Sequence, residues 1–451
     1  MSAEDETPFA FSPSDDKSGA GADLAKKKLI RIIIIVAAVV VVAAVVVLIV
    51  VLASGSSSEE KKKENPTPTP EDDPNKDWPE DTSTNYIKAL YSCPGEYKYC
   101  YFYDDKTVNH TKEISSITVD DKRVAVQPYQ QFENQTARTV IIKFSSPVAN
   151  MSNFFFNVEY LLTVDFSNFD TSSMTKMSQL FAGAIGLKSI TWGDKFSTKK
   201  VTAMDNLFNS VGISWLDVSK FDTSSVTTFN YMFSNCENVT RLNLKNFDTS
   251  NAIDFGAMFL GCESLTYVDL SSFKTSKANL MNDMFYNCYK LPSLTLSNFD
   301  TSNVTTMQEM FVNCQGLQTL DLSAWVTTSL EDTDRMFQGC SELITLQQKF
   351  TSPKLLSCER MFRNCRKLES LDLSGLVGEV LTDMSEMFSN CNALSSLDLS
   401  NFEAKNCTDT AKVFYSLPTT GTLKYNSKII NSNVLLTLPT GWTKVDVSAS
   451  S

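Results

Sequence analysis

From Val148 to Leu417 the apolar positions of this chain follow one rhythm. A phenylalanine recurs at Phe155, Phe181, Phe208, Phe233, Phe259, Phe285, Phe311, Phe337, Phe362, Phe388 and Phe414, at intervals of 26, 27, 25, 26, 26, 26, 26, 25, 26 and 26 residues. The clearest unit, Phe299 to Trp325, reads FDTSNVTTMQEMFVNCQGLQTLDLSAW. Its second half, Leu317-x-x-Leu320-x-Leu322, has leucine-rich-repeat spacing, and the alternation at Leu320 and Leu322 predicts a strand with one buried side. Its first half sets Val304, Met307, Met310, Phe311 and Cys314 three and four apart, which predicts one side of a short helix, with Asp300, Thr301 and Ser302 as candidate caps. A single unit cannot bury its apolar side alone, so the units must stack. The expected architecture is therefore an α/β repeat solenoid, roughly 50 Å long at about 4.8 Å per coil, with a parallel sheet on one face and short helices or turns on the other.

The phrases FDTSNVTTMQEMFVNC, MFSNCENVTRLNLKNFDTS and MFSNCNALSSLDLSNF resemble BspA-like leucine-rich repeats, and the closing GTLKYNSKIINSNVLLTLPTGWTKV is similar to the end of that family's ectodomains. The resemblance runs from about Pro147 to Val445. It implies a surface-exposed protein of adhesion or host-protein binding. It does not reach the first 85 residues.

Those residues follow other rules. Ile32 to Ala53 gives 22 consecutive apolar residues, roughly 33 Å as a helix, enough to cross a bilayer core of about 30 Å. A retained transmembrane anchor is expected, with a cleaved signal as the alternative. Lys26, Lys27, Lys28 and Arg31 abut the run and place the amino terminus in the cytoplasm, although Lys61, Lys62 and Lys63 on the far side pull the other way. Ser54 to Asn85 is rich in Ser, Pro and charge and reads as a disordered stalk. The expected organisation is a cytoplasmic tail (1–28), a transmembrane helix (29–53), the stalk (54–85), an amino-terminal cap (86–147) containing a strand at Val140–Phe144, the repeats (148–417) and a carboxy-terminal cap (418–451).

Charge narrows the partners. A net charge of −12 over 451 residues, without clustered Lys and Arg beyond the short runs that flank the apolar segment, argues against nucleic acid. Extracellular or host proteins, glycans or cations remain.

Candidate chemistry is sparse. Cys236, Cys262, Cys288, Cys314, Cys340, Cys365 and Cys391 stand three residues after the marker Phe, where other units carry Val158, Ala184, Val211 and Leu417. A position that accepts any small apolar residue calls for packing rather than thiol chemistry, and Cys358 and Cys407 also fall at core positions. Cys93 and Cys100 lie outside the repeats, seven apart, and form a candidate extracellular disulfide. Asn109, Asn134, Asn150, Asn238, Asn303 and Asn406 head candidate N-glycosylation sequons. The single histidine, His110, excludes His-pair metal sites and leaves Cys/His or Ser/His catalysis to that one residue. No catalytic residue, metal ligand or cofactor is assigned. Asp165, Asp269, Asp321, Asp372 and Asp398 share one rung beside the buried leucines, where solvation, local backbone bonds or bound cations such as calcium could offset their repulsion, and solvation with local bonds is the expectation. The function expected is that of a single-pass, plasma-membrane surface protein that binds through its solenoid. The alternative is a glycosylated coat without a specific ligand. A compact exposed aromatic patch favours the first, and uniform polarity the second.

Overall fold

The structure, a computed structural model, describes residues 84–449 apart from Pro94, Glu96, Tyr97, Lys98, Thr107 and Glu133. The residues expected to form a cytoplasmic tail and a transmembrane segment, and all of the expected stalk but Thr84 and Asn85, lie outside the described residues. Among the described residues no helix is long and apolar enough to cross a membrane.

The amino-terminal cap contributes β1 (Tyr86–Cys93), β2 (Tyr99–Tyr101), β3 (Ile114–Val119), β4 (Lys122–Val124), β5 (Tyr129–Gln131) and β6 (Thr136–Phe144). The coils add β7 (Leu161–Asp165), β8 (Ser189–Thr191), β9 (Arg241–Asn243), β10 (Tyr267–Asp269), β11 (Thr319–Leu322), β12 (Thr345–Gln348), β13 (Ser370–Asp372) and β14 (Ser396–Leu399). The chain closes with β15 (Thr420–Tyr425) and β16 (Gly441–Asp446). Strand β1 pairs antiparallel with β6 and with β7, so the cap occupies the exposed edge of the first coil. From β7 onward every strand pairing is parallel and one coil apart, as in Leu320 opposite Leu346 and Leu371 opposite Leu397.

The opposite face is built of turns. Of the two forms expected there, helix or turn, the helix around Met307–Cys314 does not form. The N–H groups of Met307, Glu309, Phe311 and Asn313 donate to Asp332, Asp334, Met336 and Gln338 of the next coil, at 2.8–3.0 Å. Those of Met310, Val312 and Cys314 fold back three residues. Alternation of this kind needs left-handed residues, and each coil has two, four apart, such as Glu309 (φ 59°) and Asn313 (φ 57°). Asn or Gly fills the second position in nine coils, including Asn235, Gly261 and Gly339, because these residues tolerate positive φ. The three-and-four spacing of apolar residues is met equally well by successive turns, which is why it reads as a helix in the sequence. The cap expectation is revised with it. Asp300 Oδ1 accepts the Ser302 N–H at 3.0 Å, a local turn rather than a helix start.

Between the two faces lies the core. The eleven marker rings form an unbroken stack, neighbouring centroids 5.3–5.9 Å apart and planes within 14° of parallel. Beside it runs a buried hydroxyl ladder. Thr301 Oγ1 donates to the Val326 carbonyl (2.9 Å) and accepts the Val326 N–H (3.0 Å), and Thr327 does the same for Thr351 one coil on. These bonds satisfy main-chain groups that the chain leaves unpaired at each corner.

Candidate functional site: an aromatic break in the sheet face

Along the solvent side of the strands, one outward position passes through Thr163, Ser189, Trp215, Arg241, Tyr267, Ser293, Thr319, Thr345, Ser370, Ser396 and Thr422. Small hydroxyl residues hold it everywhere except in three consecutive coils. There the side chains are a tryptophan, an arginine and a tyrosine.

The local fold opens at the same place. A 27-residue interval, Phe181 to Phe208, meets a 25-residue one, Phe208 to Phe233. Residues Ser214–Asp217 form no strand, so β8 and β9 have no paired strand between them. The inner side of this coil stays anchored by buried Ile213, Leu216 and Val218. Trp192, in place of the usual rung leucine, packs on Phe196 and Phe221 and donates its indole N–H to the Asp217 carbonyl at 2.6 Å. The outer side gapes into a groove of about 840 Å³ lined by Trp215, Asp217, Arg241, Asn243, Lys245, Tyr267 and Asp269 among others. Trp215 is 69% exposed, and none of the described ring contacts involves it. The Arg241 guanidinium instead lies on the Tyr267 ring, 4.5 Å from its centroid.

The carboxylate rung beside this column is locally satisfied. Asp217, Asp269 and Asp321 accept the N–H of Ser219, Ser271 and Ser323 at 2.9, 3.0 and 2.9 Å. The Ser271 hydroxyl and N–H hold Asp269 below its ordinary carboxylate value. In the groove the corresponding polar edges are Asp217, Asn243 and Asp269.

The candidates named from the sequence are scattered. Cys93 and Cys100 are joined in a disulfide that ties the end of β1 to β2. On β2 and β5 next to it, Tyr99, Tyr101 and Tyr129 make a smaller aromatic cluster with centroids 4.7–6.2 Å apart. Asn109, Asn134, Asn238, Asn303 and Asn406 are exposed, while Asn150 is half-buried at the first bridge of the turn face. His110 is fully buried, its ring edge-on to Phe154 and its Nε2 3.0 Å from the Ser152 carbonyl, so it packs the cap and meets no groove.

The repeat thiols face inward. Cys236, Cys262, Cys288, Cys314, Cys340, Cys365 and Cys391 each donate to the carbonyl of the preceding coil's marker Phe, at 3.0–3.3 Å. Burial pushes Cys340 and Cys391 up to about 12, which removes thiolate reactivity. Another dense charge cluster, Glu309, Arg335, Glu359, Arg360, Arg363 and Glu386, neutralises itself through ion pairs of 2.7–3.7 Å on the turn face.

Parallel coils, a leucine-type strand rung and an outward face of small polar residues define the class: a leucine-rich-repeat-like solenoid of the BspA type. Residues 129–211, 188–295, 266–375 and 354–434 match the family model described as Mycoplasma protein of unknown function, DUF285, and the chain belongs to that family. No curated protein sequence matches it. Among solved structures it is similar to a leucine-rich repeat protein from Bacteroides ovatus, with 14% identity over 70% of this chain and 89% of that one and a TM-score of 0.32. It is also similar to the functional domain of InlJ from Listeria monocytogenes, described as including a cysteine ladder, with 14% identity over 58% of this chain and 57% of that one and a TM-score of 0.19.

Proposed function

We propose that the chain is a cell-surface binding protein, held to the membrane by residues 32–53, that contacts extracellular or host proteins or glycans through the sheet face of its solenoid. The observation that carries the reading is the replacement of Ser and Thr by Trp215, Arg241 and Tyr267 in three successive coils, over a groove. A Trp left 69% exposed keeps apolar area in water, and covering it is a ready source of binding free energy. A coat molecule has no need of such a patch, and its face would stay uniformly small and polar. The test is to immobilise the full-length chain and screen it against extracellular-matrix proteins and glycans, with Trp215→Ala as the comparison. Retained ligands should be lost with the tryptophan. Retention of every ligand by Trp215→Ala would remove the groove from the account.

A further inference from the structure

We infer that the groove's ligand is an uncharged oligosaccharide, an inference that rests on reading the groove as the binding site. Size is the first argument. The three coils span roughly 10 Å, two steps of about 4.8 Å, whereas a stable protein partner covers about 800 Å² on each side. A groove of about 840 Å³ lies within the range of about 300–1,000 Å³ typical of small-ligand sites.

Charge is the second. The chain carries −12 overall, yet the groove lining balances two cations, Arg241 and Lys245, against two anions, Asp217 and Asp269. Arg241 is further engaged on Tyr267 at 4.5 Å. A charged ligand would gain from one pair and be repelled by the other, whereas a neutral ligand with many hydroxyls can use both as hydrogen-bond partners.

Chemistry is the third. Trp215 presents an open aromatic surface, on which the C–H face of a pyranose can lie. Beside it stand donors and acceptors in turn. Asp217 Oδ1 accepts the Ser219 N–H and Asn243 Oδ1 the Lys245 N–H at 3.3 Å, so these two lining residues are locally fixed and carry an acceptor, Asp217 Oδ2, and a donor, Asn243 Nδ2. An aromatic floor with fixed polar groups at its rim matches a sugar ring, apolar on its faces and hydroxylated at its edge.

The experiment titrates the full-length chain with unbranched neutral gluco-, manno- and galacto-oligosaccharides, following tryptophan emission and heat at low and at high salt. At least one series should bind with an emission shift and little change in affinity with salt. Trp215→Ala should weaken it more than about tenfold, Trp215→Phe less than about threefold, and Asn243→Ala should weaken it without changing the fold. Binding confined to sialylated, sulfated or uronate oligosaccharides, with affinity falling as salt rises, would overturn the inference of an uncharged ligand. Trp215-dependent binding to a protein or peptide with no oligosaccharide bound would overturn it too, while leaving the groove as the site. If no oligosaccharide, protein or peptide depends on Trp215, both readings fall.

Discussion

Replacing Phe311 by Ala tests the physics of the stack. Phe311 is fully buried between Phe285 and Phe337, at centroid distances of 5.7 and 5.4 Å with planes 1° and 7° apart. Truncating a buried Phe costs about 3–5 kcal/mol, and the value should lie toward the upper end because both ring neighbours are held by their own coils and cannot close the cavity. That is a large share of a typical margin of about 5–15 kcal/mol. In a one-dimensional array, however, the loss is confined largely to the interfaces it touches. The N–H groups that register it are identifiable: Phe285 donates to Met310, and Phe311 to Met336, each across one coil boundary. Hydrogen exchange on the full chain should show protection falling in the coils of Phe285, Phe311 and Phe337, with that of Phe181 little changed. Equal loss in all eleven coils would refute local stacking and require one globally cooperative core.

Further outcomes follow from other rungs. Thr301→Val keeps the shape but strips both bonds to Val326, so it should destabilise by about 1–3 kcal/mol in denaturant unfolding, while Thr301→Ser should cost far less. Cys314→Ala removes little volume and the thiol bond to the Phe285 carbonyl, which still accepts the Cys288 N–H, so a loss of about 1–2 kcal/mol is expected, with metal content and disulfide mapping unchanged. Burial, and then the neighbouring Glu309 charge, push Asp283 up to about 6 against the Asn282 hydrogen bond. A raised carboxylate pKa gives stability that is complete below about 4 and lost as pH rises through 6. Asp283→Asn should therefore stabilise the fold by about 1–2 kcal/mol more at pH 7.5 than at pH 4 in paired thermal melts. Protease added to intact cells should release the repeats and leave a membrane-held stub, and full protection of the repeats would reverse the expected orientation.

The repeat was legible because burial leaves a period. The marker Phe and the paired leucines recur at fixed spacing, and their rungs are the stacked rings and the parallel strands. The turn face was legible only as far as its apolar spacing, since three-and-four intervals serve a helix and a run of turns alike. The deciding residues were Asn and Gly two places after the marker, such as Asn313 and Gly339, whose recurrence signals positive φ. The Thr301 and Cys314 rungs looked like a helix cap and filler because a hydrogen bond to the adjacent coil has no local sequence signature. The groove required another comparison, of outward positions across units, in which Trp215, Arg241 and Tyr267 interrupt the Ser and Thr column. Its coil is also where a 27-residue and a 25-residue interval meet, and spacing alone does not specify a groove there.

The claim that binding resides in those three coils is tested most directly by two triple variants of the full chain, measured against the same captured ligand by surface plasmon resonance. One carries Trp215→Ala, Arg241→Ala and Tyr267→Ala, and the other Ser293→Ala, Thr319→Ala and Thr345→Ala, the same outward position in the next three coils. The account predicts that the first loses affinity by more than about a hundredfold and the second by less than about threefold. Equal losses in both, or no loss in the first, would contradict it.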